Sequence, residues 1–171
     1  MPMLVANEFV ARPVVGFYCV GKHVDEAEHS ALRAWSIACS RRQVSMSVFM
    51  QIKDSIDEAR NRLGQTARLI HGWDTYGGDP PNEMARTIAA NVLTLLEAEA
   101  LPPARLLPSA EGGIAISFVE GARRAEIETY NTGEVIAAIY SADDEPLVWE
   151  LDDSAGAITS SIEQIRVHLA A

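Results

Sequence analysis

The sequence contains little cysteine and no cysteine pair of a recognisable type. Cys19 and Cys39 are its two cysteines, and neither belongs to a CxxC pattern. Two thiols are too few for a disulfide framework, so we interpret both as reduced cysteines of a cytoplasmic protein. A single Cys19–Cys39 disulfide is the alternative that the sequence leaves open.

Long hydrophobic runs are also missing. An apolar run extends from Val14 to Val20, but the basic leader and long apolar core of a signal peptide do not accompany it. A membrane-spanning helix requires a run of about 18 apolar residues or more. We therefore expect a cytoplasmic protein without a membrane partner.

Basic residues are scarce in the second half of the chain. The net charge is −10, residues 1–80 hold nine acidic and nine basic side chains, and residues 81–171 hold fifteen acidic and five basic ones. The second half therefore carries the whole excess of −10. Such a surface repels phosphate backbones and favours a basic partner, which argues against direct nucleic-acid binding by this half. An acidic surface that only keeps the protein soluble is the alternative.

Catalytic and metal-binding motifs are missing as well. The four histidines, His23, His29, His71 and His168, have no metal-ligand spacing with one another or with acidic residues. GxSxG, GxxxxGK[ST] and GxGxxG do not occur. We predict a protein without a cofactor or metal and without enzymatic activity. An enzyme whose site is assembled only in space, for instance from His71 beside Asp74, is left open.

What the sequence does contain is a succession of periodic segments. We expect the first twenty residues to form a strand or an arm laid on the core, followed by a helix over residues 24–40. The strongest helical pattern begins at Met46 and ends at Ile70, and its narrow apolar stripe is Val48, Ile52, Ile56, Ala59, Leu63, Ala67 and Ile70. This stripe suits packing on the domain's own sheet or a homodimer contact. We divide the chain into an arm, residues 1–45, and a core domain, residues 46–171, or treat residues 1–171 as one domain.

The second half changes from a helical to a strand period. Asn82 is the expected N-cap of a helix over residues 83–98, and Pro102 and Pro103 prevent its continuation. Alternating residues predict strands in "GIAISFVE", "RRAEIETY", "EVIAAIY" and "PLVWEL", and a helix over residues 156–169 follows. The predicted fold is α+β, with N-terminal helices, a four-stranded antiparallel meander and a C-terminal helix covering the sheet.

One short segment, "HGWDTYGG" at residues 71–78, is rich in aromatic residues and glycine. Trp73 and Tyr76 in this segment either plug a corner between two helices or anchor a partner, since both residue types are frequent in interface hot spots. Asp74 is suited to accept backbone N–H groups within the loop. The residues that we predict to contact a partner are Trp73, Asp74, Tyr76 and the acidic loop residues Asp143, Asp144 and Glu145.

The order "GWDTYGGDPPNEMA", "LPPARLLPSAEGGIAISF" and "EIETYNTGEV" resembles a family of small, mostly uncharacterised bacterial proteins. The family's pattern runs GWDGYGA, a proline-led helix, LPPP with a PTPDGG turn, and glutamate-rich strands. The resemblance covers about residues 69–150, and it includes Gly72, Trp73, Asp74, Tyr76, Gly77, Pro102, Pro103, Pro108, Gly112 and Gly113. Thr75 and the run from Ser109 to Glu111 depart from it.

The resemblance implies an accessory protein of bacterial chromosomes and mobile elements, and it favours binding over catalysis. We expect a non-catalytic protein-binding protein of the inhibitor, antitoxin or immunity type, which acts through its acidic surface and its aromatic segment on a partner with a basic surface. An acidic nucleic-acid mimic or anti-CRISPR-type anti-defence protein is the alternative function.

Overall fold

The computed structural model describes residues 46–141 and 145–171. The described elements are, in chain order, α1 (Met46–Thr66), α2 (Glu83–Ala98), β1 (Arg105–Ser109), β2 (Gly113–Glu120), β3 (Arg123–Tyr130), β4 (Val135–Tyr140), β5 (Leu147–Leu151) and α3 (Ala155–Ala170). The expected arm and helix before Met46 lie outside the described residues, as do Cys19 and Cys39, so the proposed boundary at residue 45 stays a prediction.

The five strands form an antiparallel meander in the order β1-β2-β3-β4-β5. The α+β prediction is confirmed, but the predicted number of strands was four, and β1 is the strand that was missed. Its segment "RLLPS" follows two prolines and contains a third, Pro108, which hides a strand pattern. An edge strand tolerates proline because its outward N–H needs no partner in the sheet.

All three described helices lie on one face of this sheet and form the core with it. The apolar residues at alternating positions of the strands are buried, including Ile116 on β2 and Ile127 on β3, which are register partners. Of the expected apolar stripe of α3, Ile158, Ile162 and Ile165 are buried and Leu169 is partly buried. Among the described residues, no helix is both long and apolar enough to cross a membrane.

Helix α1 ends four residues earlier than the sequence pattern predicts. The α-helical hydrogen bonds give way to 3₁₀-type hydrogen bonds between residues three apart, from Arg68 N–H to Gln65 O and from Leu69 N–H to Thr66 O. Ile70, beyond them, is exposed. The four central stripe residues, Ile52, Ile56, Ala59 and Leu63, are buried in the protein's own core. A homodimer through this helix stays a prediction, and it would have to use residues other than these four.

The ends of α2 and α3 are set by their capping residues. The side-chain oxygen of Asn82 accepts the N–H of Ala85 at 2.9 Å, which confirms Asn82 as the N-cap of α2. Ser154 caps α3 through Ala157 N–H, so this helix begins one residue before the predicted start. Because α2 begins directly after Asn82, this N-cap residue also marks the end of the loop that connects α1 to α2.

Candidate functional site

The glycine-rich segment between α1 and α2, residues 71–82, is called here the aromatic loop. It lies against the end of the sheet that carries the β1–β2 and β3–β4 turns. A Cβ atom on Gly78 would approach the carbonyl oxygen of Ala110 to 3.1 Å, and one on Gly112 would lie 3.5 Å from the Cβ of Asp79. A Cβ on Gly78 would also lie 2.7 Å from Oδ2 of Asp74, and one on Gly112 would lie 2.6 Å from Nδ2 of Asn131, so glycine is needed at both positions.

Asp74 holds the aromatic loop in its conformation. Its Oδ1 accepts the N–H of Gly78 at 2.8 Å and the N–H of Tyr76 at 3.0 Å. The hydrogen bond from Gly78, followed by that from Tyr76, holds the pKa of Asp74 below its usual value, because both stabilise the carboxylate. The N–H of Gly72 donates to Gly78 O at 2.9 Å and closes the base of the loop. The predicted role of Asp74 as a backbone acceptor is thus observed.

Trp73 and Tyr76 have different surroundings. Trp73 is half-buried, and its indole N–H donates to the carbonyl oxygen of Asp79 at 3.3 Å. The side chain of Tyr76 is 94% exposed. Thr75, between them, has φ of 68°, which turns the chain sharply at this point. Trp73 therefore serves the loop's own structure, whereas Tyr76 is presented to solvent.

His71 pairs with a different aspartate from the one that the sequence suggested. Its Nδ1 lies 3.0 Å from Oδ1 of Asp79, whereas the enzyme hypothesis placed it beside Asp74. Both members of the observed pair are more than two-thirds exposed. An exposed pair in a solvated loop lacks the desolvation that tunes a catalytic acid or base.

Asn131, in the β3–β4 turn, connects the aromatic loop to the sheet. Its Nδ2 donates to Pro80 O at 3.0 Å, and its Oδ1 accepts the N–H of Asn82 at 2.6 Å. Its own N–H donates to Gly112 O in the β1–β2 turn at 2.8 Å. One side chain and its backbone therefore join the loop to both turns, and the loop is rigidly placed.

Several exposed carboxylates lie at this same end of the sheet. Asp79 belongs to the aromatic loop, Glu111 to the β1–β2 turn and Glu134 to the β3–β4 turn, while Asp152 and Asp153 follow β5. We call these five residues the acidic end. These five residues are far apart in the chain, so the sequence alone does not bring them together. Recognition of β1 would have placed both turns at one end of the meander.

The predicted contact residues do not form one surface. Glu145 is exposed and precedes β5, at the end of the sheet opposite the aromatic loop, and Asp143 and Asp144 lie outside the described residues. The six residues of β4 separate the two ends, which corresponds to about 20 Å. The structure therefore brings together Trp73, Asp74 and Tyr76, but it places Glu145 elsewhere.

The composition of the site limits its chemistry. In residues 46–141 and 145–171, no group of three or more His, Cys, Asp or Glu side chains is arranged to hold a metal ion. What the site offers is a rigid loop, one displayed aromatic ring and several carboxylates. The chain matches no protein-family model, no curated protein and no solved structure.

Proposed function

We propose that this is a non-catalytic protein-binding protein of the inhibitor, antitoxin or immunity type, whose partner carries a basic surface. The contact consists of the aromatic loop and the acidic end. The observation that carries the proposal is the exposure of Tyr76, 94%, on a loop whose backbone Asp74 holds fixed.

A displayed tyrosine on a rigid loop is suited to binding for two reasons. Tyrosine buries a large amphipathic surface on contact and is enriched among the residues that dominate interface energies. Because Asp74 and the link between Gly72 and Gly78 already order the backbone, little conformational entropy is lost when a partner binds.

The surrounding charge supports a basic partner. Asp79, Glu111 and Glu134 are exposed beside the loop, and opposite charges across an interface accelerate association and exclude wrong partners. Five residues of the family resemblance, Gly72, Trp73, Asp74, Tyr76 and Gly77, belong to this loop, and Gly112 and Gly113 lie in and after the adjoining turn. Seven of the ten residues that carry the resemblance therefore lie at this end of the sheet, as a binding surface common to such a family would require.

The proposal is tested by charge reversal at each end of the sheet. The partner is first isolated from the source cell with tagged wild-type protein. Its association rate is then measured at 50 and 300 mM salt for wild type, for Glu111→Lys with Glu134→Lys, and for Glu145→Lys. We expect the double variant to associate about tenfold more slowly at 50 mM salt, with a flatter salt dependence.

Glu145→Lys is the matched control at the opposite end, and we expect it to change the rate less than about twofold. An equal or larger effect of Glu145→Lys would place the contact at the acidic loop predicted from the sequence. A wild-type rate that is the same at both salt concentrations would contradict an electrostatic contact altogether.

A further inference from the structure

The face of the sheet that turns away from the helices carries a depression of about 630 Å³. It lies at the end opposite the aromatic loop. Its lining includes Arg105, Leu107, Ser117, Val119, Arg124 and Tyr140, from β1 to β4. A volume of this size falls in the range of small-molecule sites. None of these residues takes part in the contact proposed above.

Two arginines of this depression have no side-chain partner among the described residues. Arg105 and Arg124 are exposed, and neither side chain has a hydrogen bond or ion pair with the rest of the described chain. Arg60, Arg62 and Arg166 are paired with glutamates, whereas Arg86 and Arg123 donate to backbone carbonyl oxygens. Arg68 is exposed as well, but it lies outside the depression. Two unpaired guanidinium groups beside one concavity are a typical arrangement for anion recognition.

The register of the strands places these two arginines within reach of one ligand. Arg105 lies opposite Ser117, which lies opposite Glu126, and Arg124 is two residues from Glu126 on the same face. Two strand spacings and two residues along a strand separate the Cα atoms by about 12 Å. Both side chains are long enough to turn toward an anion between them.

Besides the two arginines, the polar residues that line the depression are Ser117, Glu126 and Tyr140. Burial, followed by the charges of Glu126 and Glu128, raises the pKa of Tyr140, so its hydroxyl stays protonated and able to donate. Glu126 also lines the depression, and its Oε1 accepts the hydroxyl of Ser117 at 3.0 Å. The arginines therefore exceed the carboxylates of the lining by one charge.

We propose that this depression binds an amphipathic organic anion. Its acidic head group lies between Arg105 and Arg124, and its aliphatic part rests on Leu107 and Val119, which are 43% and 53% exposed. The inference is independent of the protein-binding function, because the two surfaces lie at opposite ends of the sheet.

The test is an NMR titration of the ¹⁵N-labelled full chain with four probes. Octanoate and octyl phosphate carry an aliphatic chain, whereas acetate and inorganic phosphate provide only the head group. We expect the chain-bearing probes to shift the Arg105 and Arg124 side-chain Nε–H signals saturably and at lower concentration than their short counterparts. Tighter binding of octyl phosphate or of octanoate identifies the preferred head group.

Substitutions of the charged residues in the depression should change the affinity for the better probe in opposite directions. Arg105→Ala and Arg124→Ala each weaken binding of the better probe about tenfold, because a charge-assisted hydrogen bond is lost. Glu126→Gln strengthens it about threefold by removing a nearby like charge. Arg68→Ala, which removes an exposed arginine outside this depression, is the matched control and leaves binding unchanged. Equal effects of all three arginine variants, or no saturable shift with any probe, would overturn the proposal.

Discussion

The backbone N–H of Asn82 donates to the side-chain oxygen of Asn131 at 2.6 Å, and the side-chain nitrogen of Asn82 donates back to the carbonyl oxygen of Asn131 at 2.9 Å. This reciprocal pair joins the N-cap of α2 to the β3–β4 turn across 49 residues of sequence. The aromatic loop ends at Asn82, so the pair fixes where the loop stands relative to the acidic end.

We expect Asn131→Ala to lower the free energy of unfolding by about 1–2 kcal/mol, since it removes the partners of Asn82 N–H and Pro80 O at a partly exposed site. Urea unfolding at neutral pH measures the loss. The control is Thr132→Ala in the same turn, whose hydroxyl bonds only to Glu134, and it should cost less than about 0.5 kcal/mol. Equal losses in the two variants would show that Asn131 does not link loop and sheet.

Two glycine substitutions should change stability in opposite directions. A Cβ on Gly113 would overlap the carbonyl oxygen of Thr129 on the neighbouring strand, so Gly113→Ala should cost about 2–3 kcal/mol. Gly64, in α1, has open space where a Cβ would stand, and Gly64→Ala should gain about 0.5–1 kcal/mol from helix propensity. Thermal and urea unfolding of both variants check the signs. A neutral Gly113→Ala would contradict the β2–β3 register.

The hydrogen bonds that Asp74 accepts within the aromatic loop predict that the stability of the fold depends on pH. The folded pKa of Asp74 lies below its usual value of 3.8, so its carboxylate stabilises the folded state above that pH, and the contribution is lost as the pH falls through the folded pKa. Asp74→Asn should therefore melt below wild type at pH 7, and the difference should shrink below pH 3.8. Asp54→Asn, on α1, controls for the loss of one carboxylate. A difference between Asp74→Asn and wild type that grows toward pH 3 would contradict the assignment.

Residue periodicity predicted most of the elements because burial on one face imposes a regular spacing. The alternation in "GIAISFVE" gave the inward residues of β2, Ile114, Ile116 and Phe118, all of which are buried. The cap at Asn82 likewise gave the start of α2. Strand β1 was missed since its five residues are few and one is Pro108, so the alternation is interrupted.

The sequence predicted only part of the candidate site. The residues of the site come from the aromatic loop and from the β1–β2 and β3–β4 turns, and the sequence alone does not show that these segments meet at one end of the sheet. The conformation of the aromatic loop depends on nearby residues, and the role of Asp74 was accordingly foreseen. Neither the Asp79 partner of His71 nor the links from Asn131 could be read from the sequence, since both follow from how the loop packs on the sheet. The exposure of Tyr76 was likewise undecided between a buried plug and a displayed anchor.

The central claim is that Tyr76 anchors a protein partner, and capture by variants of Tyr76 tests it most directly. Tagged wild type, Tyr76→Ala and the control Val167→Ala, an exposed apolar residue on α3, are expressed in the source cell after circular dichroism and unfolding have shown equal stability. Quantitative mass spectrometry then compares the proteins bound to each. The account predicts a protein that wild type and Val167→Ala retain equally and that Tyr76→Ala loses by about tenfold or more. Equal retention of every bound protein by Tyr76→Ala and wild type would contradict it.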